Sequence, residues 1–461
     1  MLTDLFLSFI LLGFVIFGFT RPHVALCSAV WVNIVQPQST SFSFLAGQKL
    51  SLLFTLFFFM VIVLQNKKVR IPRSGLYHFL MLTFMLWITI STVRAEFQLV
   101  AWLKYDFTIK TLIFAYFIPF ALTSKKHIEF FVLVSASALS YFIFMGGVKS
   151  LLGGGGYGVS LIGLGGFMYA EGSTLSALSI SLIPIFLYIR KHSLLVKQIP
   201  PVGYLFLFLV LCSLAVLVGT QARTGLVALA VLVFIQFFQS KKKFKYFLAL
   251  GIFGTAFMFI ATDAWFQRMS TIDNAKTDEK SAIGRLVVWR WTIDYVKERP
   301  FFGGGFYSYN ANAGQLHKYQ QGQEVEINQR GGKAFHNIYF EVLGETGYGG
   351  LILFLGIILH GLSLLRSKNM MNNTEPLYSD GKRAIRASLI IYISGGMFIG
   401  VAFYPWMYYL YCVSIAIKGI EALESDEQEN TEESSKKKVS AFTRQHEPQI
   451  KIRGNVGSHR V

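Results

Sequence analysis

The chain is 461 residues long, 53% hydrophobic and only 15% charged, with a mean hydropathy of +0.49. That composition excludes a water-soluble globular domain and points to an integral membrane protein. The formal net charge of +18 does not indicate nucleic acid, because Lys and Arg fall in short clusters between apolar runs.

A helix needs roughly 20 apolar residues to cross a bilayer. Runs near that length occupy 48–65, 76–94, 108–123, 127–147, 174–190, 201–219, 222–239, 244–262, 337–366 and 384–402, with shorter ones at 5–19, 22–35 and 404–419. Their regular length and lack of strict alternation favour helices over a β-barrel. The expected fold is an all-α polytopic bundle.

The basic clusters are Lys67, Lys68, Arg70 and Arg73; Lys125 and Lys126; Arg190, Lys191 and Lys197; Lys241 to Lys243 with Lys245; and Arg366, Lys368, Lys382, Arg383 and Arg386. They occupy every second loop, which the positive-inside rule makes cytoplasmic. The loops 36–47, 95–107, 148–173, 220–223 and 263–335 then face outward. If 5–19 and 22–35 both cross, the total is thirteen spans; if together they make one crossing and a half, it is twelve with both ends inside.

The chain divides into an N-terminal bundle (1–262), an outward loop (263–335), C-terminal helices (336–420) and a polar tail (421–461) whose blocks of charge read as disordered and cytoplasmic. Cys27, Cys212 and Cys412 all lie in apolar spans, so they predict neither disulfides nor a metal site. The N-terminus lacks a basic stretch before its apolar run, and no cleavable signal is expected.

Polar groups of chemical interest concentrate on the outward side. Arg223, in TQARTG, stands at the end of a span with almost no loop beside it. Such a guanidinium either snorkels to headgroups or meets a carboxylate, a carbonyl or an anionic ligand. In the long loop, KSAIGRLVVWRWTIDYVKERP places Ile283, Leu286, Trp289, Ile293 and Val296 at helical spacing and ends at Pro300. This predicts an amphipathic helix over the membrane surface or a cavity, with Arg285 and Arg290 beside Trp289 and Trp291. FFGGGFYSYN follows, its glycines permitting a tight turn or a close backbone approach to a ligand.

The next span opens HNIYFEVLGETGYGGL, residues 336 to 351. His336 and Asn337 begin it, and Glu341 and Glu345 lie one turn apart on a shared face. The carboxylates are expected to orient His336 or an arginine rather than to react. Asp106 and Lys110 read as interfacial anchors. The glycine-rich run at 150–173 lacks the Lys-Ser/Thr ending of a phosphate loop, and no Asp-x-Asp or His-Glu-x-x-His motif occurs. Neither a metal nor another cofactor is expected.

Three pieces in order carry a resemblance: TQARTG, the GR…WRW…PFFGGG segment, and HN-Y-E-L-E-G. Together, over about 201–366, they resemble the C-terminal signature of the O-antigen ligase and polymerase superfamily of bacterial membrane glycosyltransferases. A finer similarity, in RPHVALCSAVWVNIVQPQS and GLGGFMYAEGSTLSALSISLIPIFLYI, is to the O-glycosylation ligases associated with exosortase systems. The sequence departs from that branch at Glu171 and Gly172.

The resemblance implies about twelve spans, a large periplasmic loop, and a glycan donor carried on undecaprenyl pyrophosphate. The acceptor is a lipid, a glycan or a protein, and the protein sits in the inner membrane with its active site toward the periplasm. It places catalytic roles on His336, Arg223 and Arg285 and an acidic position on Glu345. Arg290, Trp289 and Asn337 are expected to contact substrate, with Glu341 and Glu345 behind them. Without a metal, arginines suit the charge developing on a leaving pyrophosphate, and a neutral His336 suits proton removal from an acceptor hydroxyl. No carboxylate is placed as a nucleophile, which favours a single inverting displacement. The competing readings are a repeat-unit polymerase and, in another class, a flippase for lipid-linked glycans.

Overall fold

The structure, a computed structural model, describes residues 2–41, 43–154, 168–240, 243, 251, 279–320, 331–366 and 375–445. The expected span at 244–262 apart from residue 251, most of the glycine-rich run, and segments 263–278, 321–330 and 446–461 lie outside the described residues.

The described chain is helical throughout. Its main helices are α1 (Leu2–Gly18), α2 (Pro22–Val35), α3 (Leu50–Leu64), α4 (Gly75–Val93), α5 (Gln98–Ala121), α6 (Lys125–Leu151), α7 (Gly172–His192), α8 (Val202–Thr220), α9 (Arg223–Gln239), α10 (Glu279–Glu298), α11 (Ile338–Leu364), α12 (Lys382–Gly395) and α13 (Pro405–Gln445). Their starts follow local chemistry: Ser74, Ser124, Glu171 and Asn337 each accept from backbone N–H groups of the first turn. Phe9, Val63, Leu103 and Ile352 are exposed, as side chains facing lipid are. The interior packs closely; a Cβ on Gly147 would fall 2.4 Å from that of Cys212, so α6 and α8 meet through small residues.

Among the described residues, α4, α6, α7, α8 and α11 combine the length and hydropathy of a full crossing, and α1, α3 and α9 are shorter apolar helices. The protein is therefore a multi-pass membrane protein; among the described residues, several of the expected spans are shorter or more polar than a full crossing. The reasons are local. α5 carries Lys104, Asp106 and Lys110, and α12 begins with Lys382 and Arg383 and stops at Gly395, short of the expected 402. α2 has 14 residues, about 21 Å of helix against a hydrocarbon core of about 30 Å.

The basic clusters gather at one end. Lys68 donates to the Thr20 carbonyl at 2.8 Å, Lys125 meets Glu424 at 2.9 Å, Lys191 meets Asp380 at 2.7 Å, and Lys382 meets Glu421 at 2.8 Å. α13 is described as far as Gln445, and Glu421, Glu424 and Asp426 on it pair with Lys382, Lys125 and Arg73.

At the opposite end α11 is broken. Gly347 (φ 68°, ψ −171°) interrupts the helix after the turn that holds Glu341 and Glu345. A break within a span leaves backbone groups that need partners. Gly304 N–H donates to the Gly344 carbonyl and Gly305 N–H to that of Glu345, both at 3.0 Å. Trp87 donates to the Thr346 carbonyl at 3.0 Å, and Tyr348 N–H to that of Pro300 at 2.8 Å. The glycines of FFGGGF thus approach the chain's own backbone, since a Cβ on Gly303 would fall 2.6 Å from Gly347 N.

Gly347→Ala is expected to destabilise the protein by roughly 1–3 kcal/mol, because the left-handed φ disfavours a side chain and the new Cβ would lie 2.4 Å from the Phe301 carbonyl oxygen. Thermal unfolding in detergent, followed by intrinsic fluorescence, measures it; an unchanged midpoint would show that the break relaxes freely.

Candidate active site

The site is built on the first half of α11. Asn337 caps this helix, its side-chain oxygen accepting from Tyr339 N–H at 2.8 Å and Phe340 N–H at 3.3 Å. His336, immediately before, has a left-handed backbone (φ 46°) that non-glycine residues seldom adopt. Gln221 and Tyr307 share that trait, at φ 50° and 59°. Gln221 precedes the start of α9, and Tyr307 lies in the turn that braces the helix break. Strain of this kind persists where the surroundings over-determine it.

α10 lies across this half-helix. Its buried stripe is Ile283, Val287, Trp291 and Tyr295, packed with Phe335 and Leu343, whereas Leu286 and Ile293 are exposed. The i, i+4 repeat faces α11, and the intervening apolar residues turn outward. Trp289 donates to the Phe335 carbonyl at 2.9 Å and stacks on Phe340 at 5.1 Å, fixing the backbone next to His336. Arg290 points elsewhere, toward the Tyr319 carbonyl at 3.5 Å, and is not brought to His336 by that contact.

Arg285 projects toward the junction of α10 with the end of α12, its guanidinium 5.9 Å from the centre of the Phe398 ring. Lys333 joins it. Asn312 clamps the Lys333 backbone with two 2.8 Å hydrogen bonds, and a Cβ on Gly284 would fall 2.1 Å from the Lys333 ammonium, next to Arg285. Burial and the Arg285 charge lower the Lys333 pKa from its ordinary value. His336 is exposed at the rim of this cluster. Desolvation by its neighbours lowers its pKa below the ordinary 6.5, reinforced by the charges of Arg285 and Lys333 and opposed by Glu171 and Glu341. The imidazole is therefore neutral near pH 7, able to take up a proton.

Glu171 begins α7, the helix that packs on the turn carrying Arg223. It caps α7 through Ser173 and Thr174 N–H at 2.9 and 2.7 Å and lies within electrostatic reach of His336. The first turn of α7 rests on the ends of α8 and α9 that flank Arg223: a Cβ on Gly172 would meet Thr220 at 3.5 Å, and one on Gly225 would collide with Ser176. Gly395 and Gly396 close the ring, their Cβ positions lying 2.9 Å from Ala177 Cβ and 2.8 Å from Ile338 Cδ1. The starts of α7, α9 and α11 and the end of α12 thus converge.

Glu341 and Glu345 bind a partner that the sequence reading did not single out. The Lys104 ammonium lies 2.7 Å from Glu341 Oε1 and 2.8 Å from both oxygens of Glu345. Ala402 N–H donates to Glu341 Oε2 at 3.1 Å, and Tyr307 N–H to Glu345 Oε1 at 3.0 Å. Phe403, Tyr307 and Phe306 surround the ammonium with ring centres 5.0, 5.3 and 5.4 Å away. The carboxylates therefore anchor the half-helix that begins beside His336, instead of contacting the imidazole through the bonds expected. One turn along α5, Asp106 and Lys110 form an exposed pair at 2.7 Å, as interfacial anchors do. Among the described residues, no group of three or more His, Cys, Asp or Glu side chains is placed to hold a metal.

Lys104 and Glu171 precede residue 195, and the remaining site residues, from Arg223 onward, follow residue 207. Comparison with known families draws the same division: residues 2–194 match a family of unknown function (DUF5935), and residues 207–355 match the O-antigen ligase family. A search of proteins with curated functions gave no match. The second match spans Arg223, Arg285, Lys333, His336, Glu341 and Glu345. Residues 207–355 of this multi-pass membrane protein are thus similar to the O-antigen ligase family, and Lys104 and Glu171 of the N-terminal region join them at the candidate site.

Proposed function

We propose that the protein transfers a glycan from a polyprenyl pyrophosphate to an acceptor hydroxyl at the periplasmic face of a bacterial inner membrane. The observation that carries this reading is an exposed imidazole at His336, at the start of α11 and within electrostatic reach of Arg285 and Lys333. His336 removes the proton as the acceptor oxygen bonds to the sugar C1. The C1–oxygen bond to pyrophosphate breaks at the same time, and the departing phosphate oxygens take the electron pair.

Arg285 and Arg223 hold those oxygens, with Lys333 as a further positive charge. The displacement inverts the anomeric centre, because the carboxylates nearest His336 are already engaged: Glu341 and Glu345 by Lys104, Glu171 by the α7 cap. Acidic membrane-embedded residues occupied in this way serve structure and charge balance better than attack.

The test uses full-length protein in a lipid bilayer, with polyprenyl-pyrophosphate glycan as the only substrate, and follows polyprenyl pyrophosphate release and glycan length. Release only after an acceptor is added supports a ligase; longer glycans without one indicate a polymerase; glycan movement with no release indicates a flippase and overturns the proposal. Arg223→Lys and Arg285→Lys are each expected to slow release roughly tenfold or more, since the charge remains and a charged hydrogen bond is lost.

A further inference from the structure

A cavity of about 230 Å³ opens at the basic end of the molecule, between the segment before α4 and the ends of α5 and α11, against the middle of α13. Leu122, Leu364, Ile415 and Ile420 wall it, and Arg70, Arg73 and Lys418 stand around it. It is separate from the candidate active site: Lys104 and Leu122 lie at opposite ends of the same helix, about 27 Å apart along its axis. The cavity therefore sits close to the opposite boundary of the hydrocarbon layer.

We propose that this cavity binds one anionic glycerophospholipid, with an acyl chain against the apolar wall and the phosphate among Arg70, Arg73 and Lys418. The walls match hydrocarbon and would exclude a fully hydrated ion. The rim matches a headgroup phosphate, and Lys67 and Lys68 add positive charge just upstream. Two rim cations have acidic neighbours: Arg73 meets Asp426 at 3.0 Å, and Lys418 meets Glu421 at 3.2 Å. Both cations are exposed, and exposed pairs are weak enough to exchange with a phosphate. The polyprenyl donor fits less well, since its pyrophosphate would lie at the end opposite His336.

Native mass spectrometry of the full-length protein in detergent tests this, with phosphatidylglycerol and phosphatidylcholine of identical acyl chains as probes. Phosphatidylglycerol is expected to bind more tightly, with a loss of roughly fivefold for each rim arginine neutralised. Arg70→Gln with Arg73→Gln, both surface changes, should bring it to the phosphatidylcholine level. Ala422→Trp, which narrows the groove, should weaken both lipids. Equal binding of the two lipids by the unaltered protein overturns the proposal, as does undiminished phosphatidylglycerol binding by the double-arginine variant. Displacement of bound lipid by inorganic phosphate alone would overturn it too, reassigning the rim to a free anion. The readout is lipid retention, so it stands or falls independently of glycan transfer.

Discussion

Turnover by a His336→Gln protein is expected to fall by roughly 10²- to 10⁴-fold, the contribution typical of a general base, while the protein remains folded in the membrane. Glutamine keeps a polar side chain of similar reach and cannot take up a proton. The left-handed backbone at 336 is shared by both residues, so the substitution isolates the chemistry from the strain.

The pH dependence gives an independent reading. Desolvation by its neighbours and the charges of Arg285 and Lys333 lower the His336 pKa below its ordinary 6.5. The neutral base therefore persists as the pH drops from neutral, and turnover fails only as the pH passes through the lowered value. Initial rates of polyprenyl pyrophosphate release should show that acid limb in the unaltered protein and lose it in His336→Gln. A limb that survives the substitution would assign it to another group and remove His336 from the mechanism.

Lys104→Met is expected to destabilise the protein by about 3–5 kcal/mol, the usual cost of removing one partner from a buried ion pair. The substitution would leave Glu345, fully buried, and Glu341, 9% exposed at its side chain, without their shared cation. Thermal unfolding in detergent measures the loss. Adding Glu341→Gln and Glu345→Gln to Lys104→Met should recover much of it, because the amide oxygens can still accept from Ala402 and Tyr307 N–H while the uncompensated charge disappears. If the single variant melts normally, the three-residue contact does not hold the half-helix, and its anchoring role fails.

Much of the fold was legible because lipid imposes a simple rule on sequence. The apolar runs at 76–94, 127–147 and 337–366 fall on α4, α6 and α11, Asn337 caps the last of them, and the described basic residues of alternate loops gather at one end. What escaped were features set by partners distant in the chain. Asn337 was recognisable as a helix opener, yet nothing local revealed that Glu341 and Glu345 would share Lys104, because the lysine belongs to another helix. Its presence in WLKYDF, on a helix otherwise rich in apolar residues, was the available signal.

Lys333 was obscured in the same way, since only Asn312 and the bare surface of Gly284 bring it beside Arg285. On α10 apolar residues surround much of the helix, so periodicity alone did not say which of them, Leu286 or Val287, would face α11. FFGGGF was read as a tight turn or a close approach to a ligand; what its glycines approach is the broken α11 backbone.

Lys104 precedes Glu341 by 237 residues and Glu345 by 241. A ribosome therefore delivers the ammonium to the membrane long before either carboxylate exists. Until α11 arrives, α5 must hold that charge at the water boundary or beside other waiting helices, where an unpaired lysine is tolerated. Its final seat becomes available only when the last third of the chain is inserted. A chain interrupted before α11 therefore keeps Lys104 without the two carboxylates that seat it.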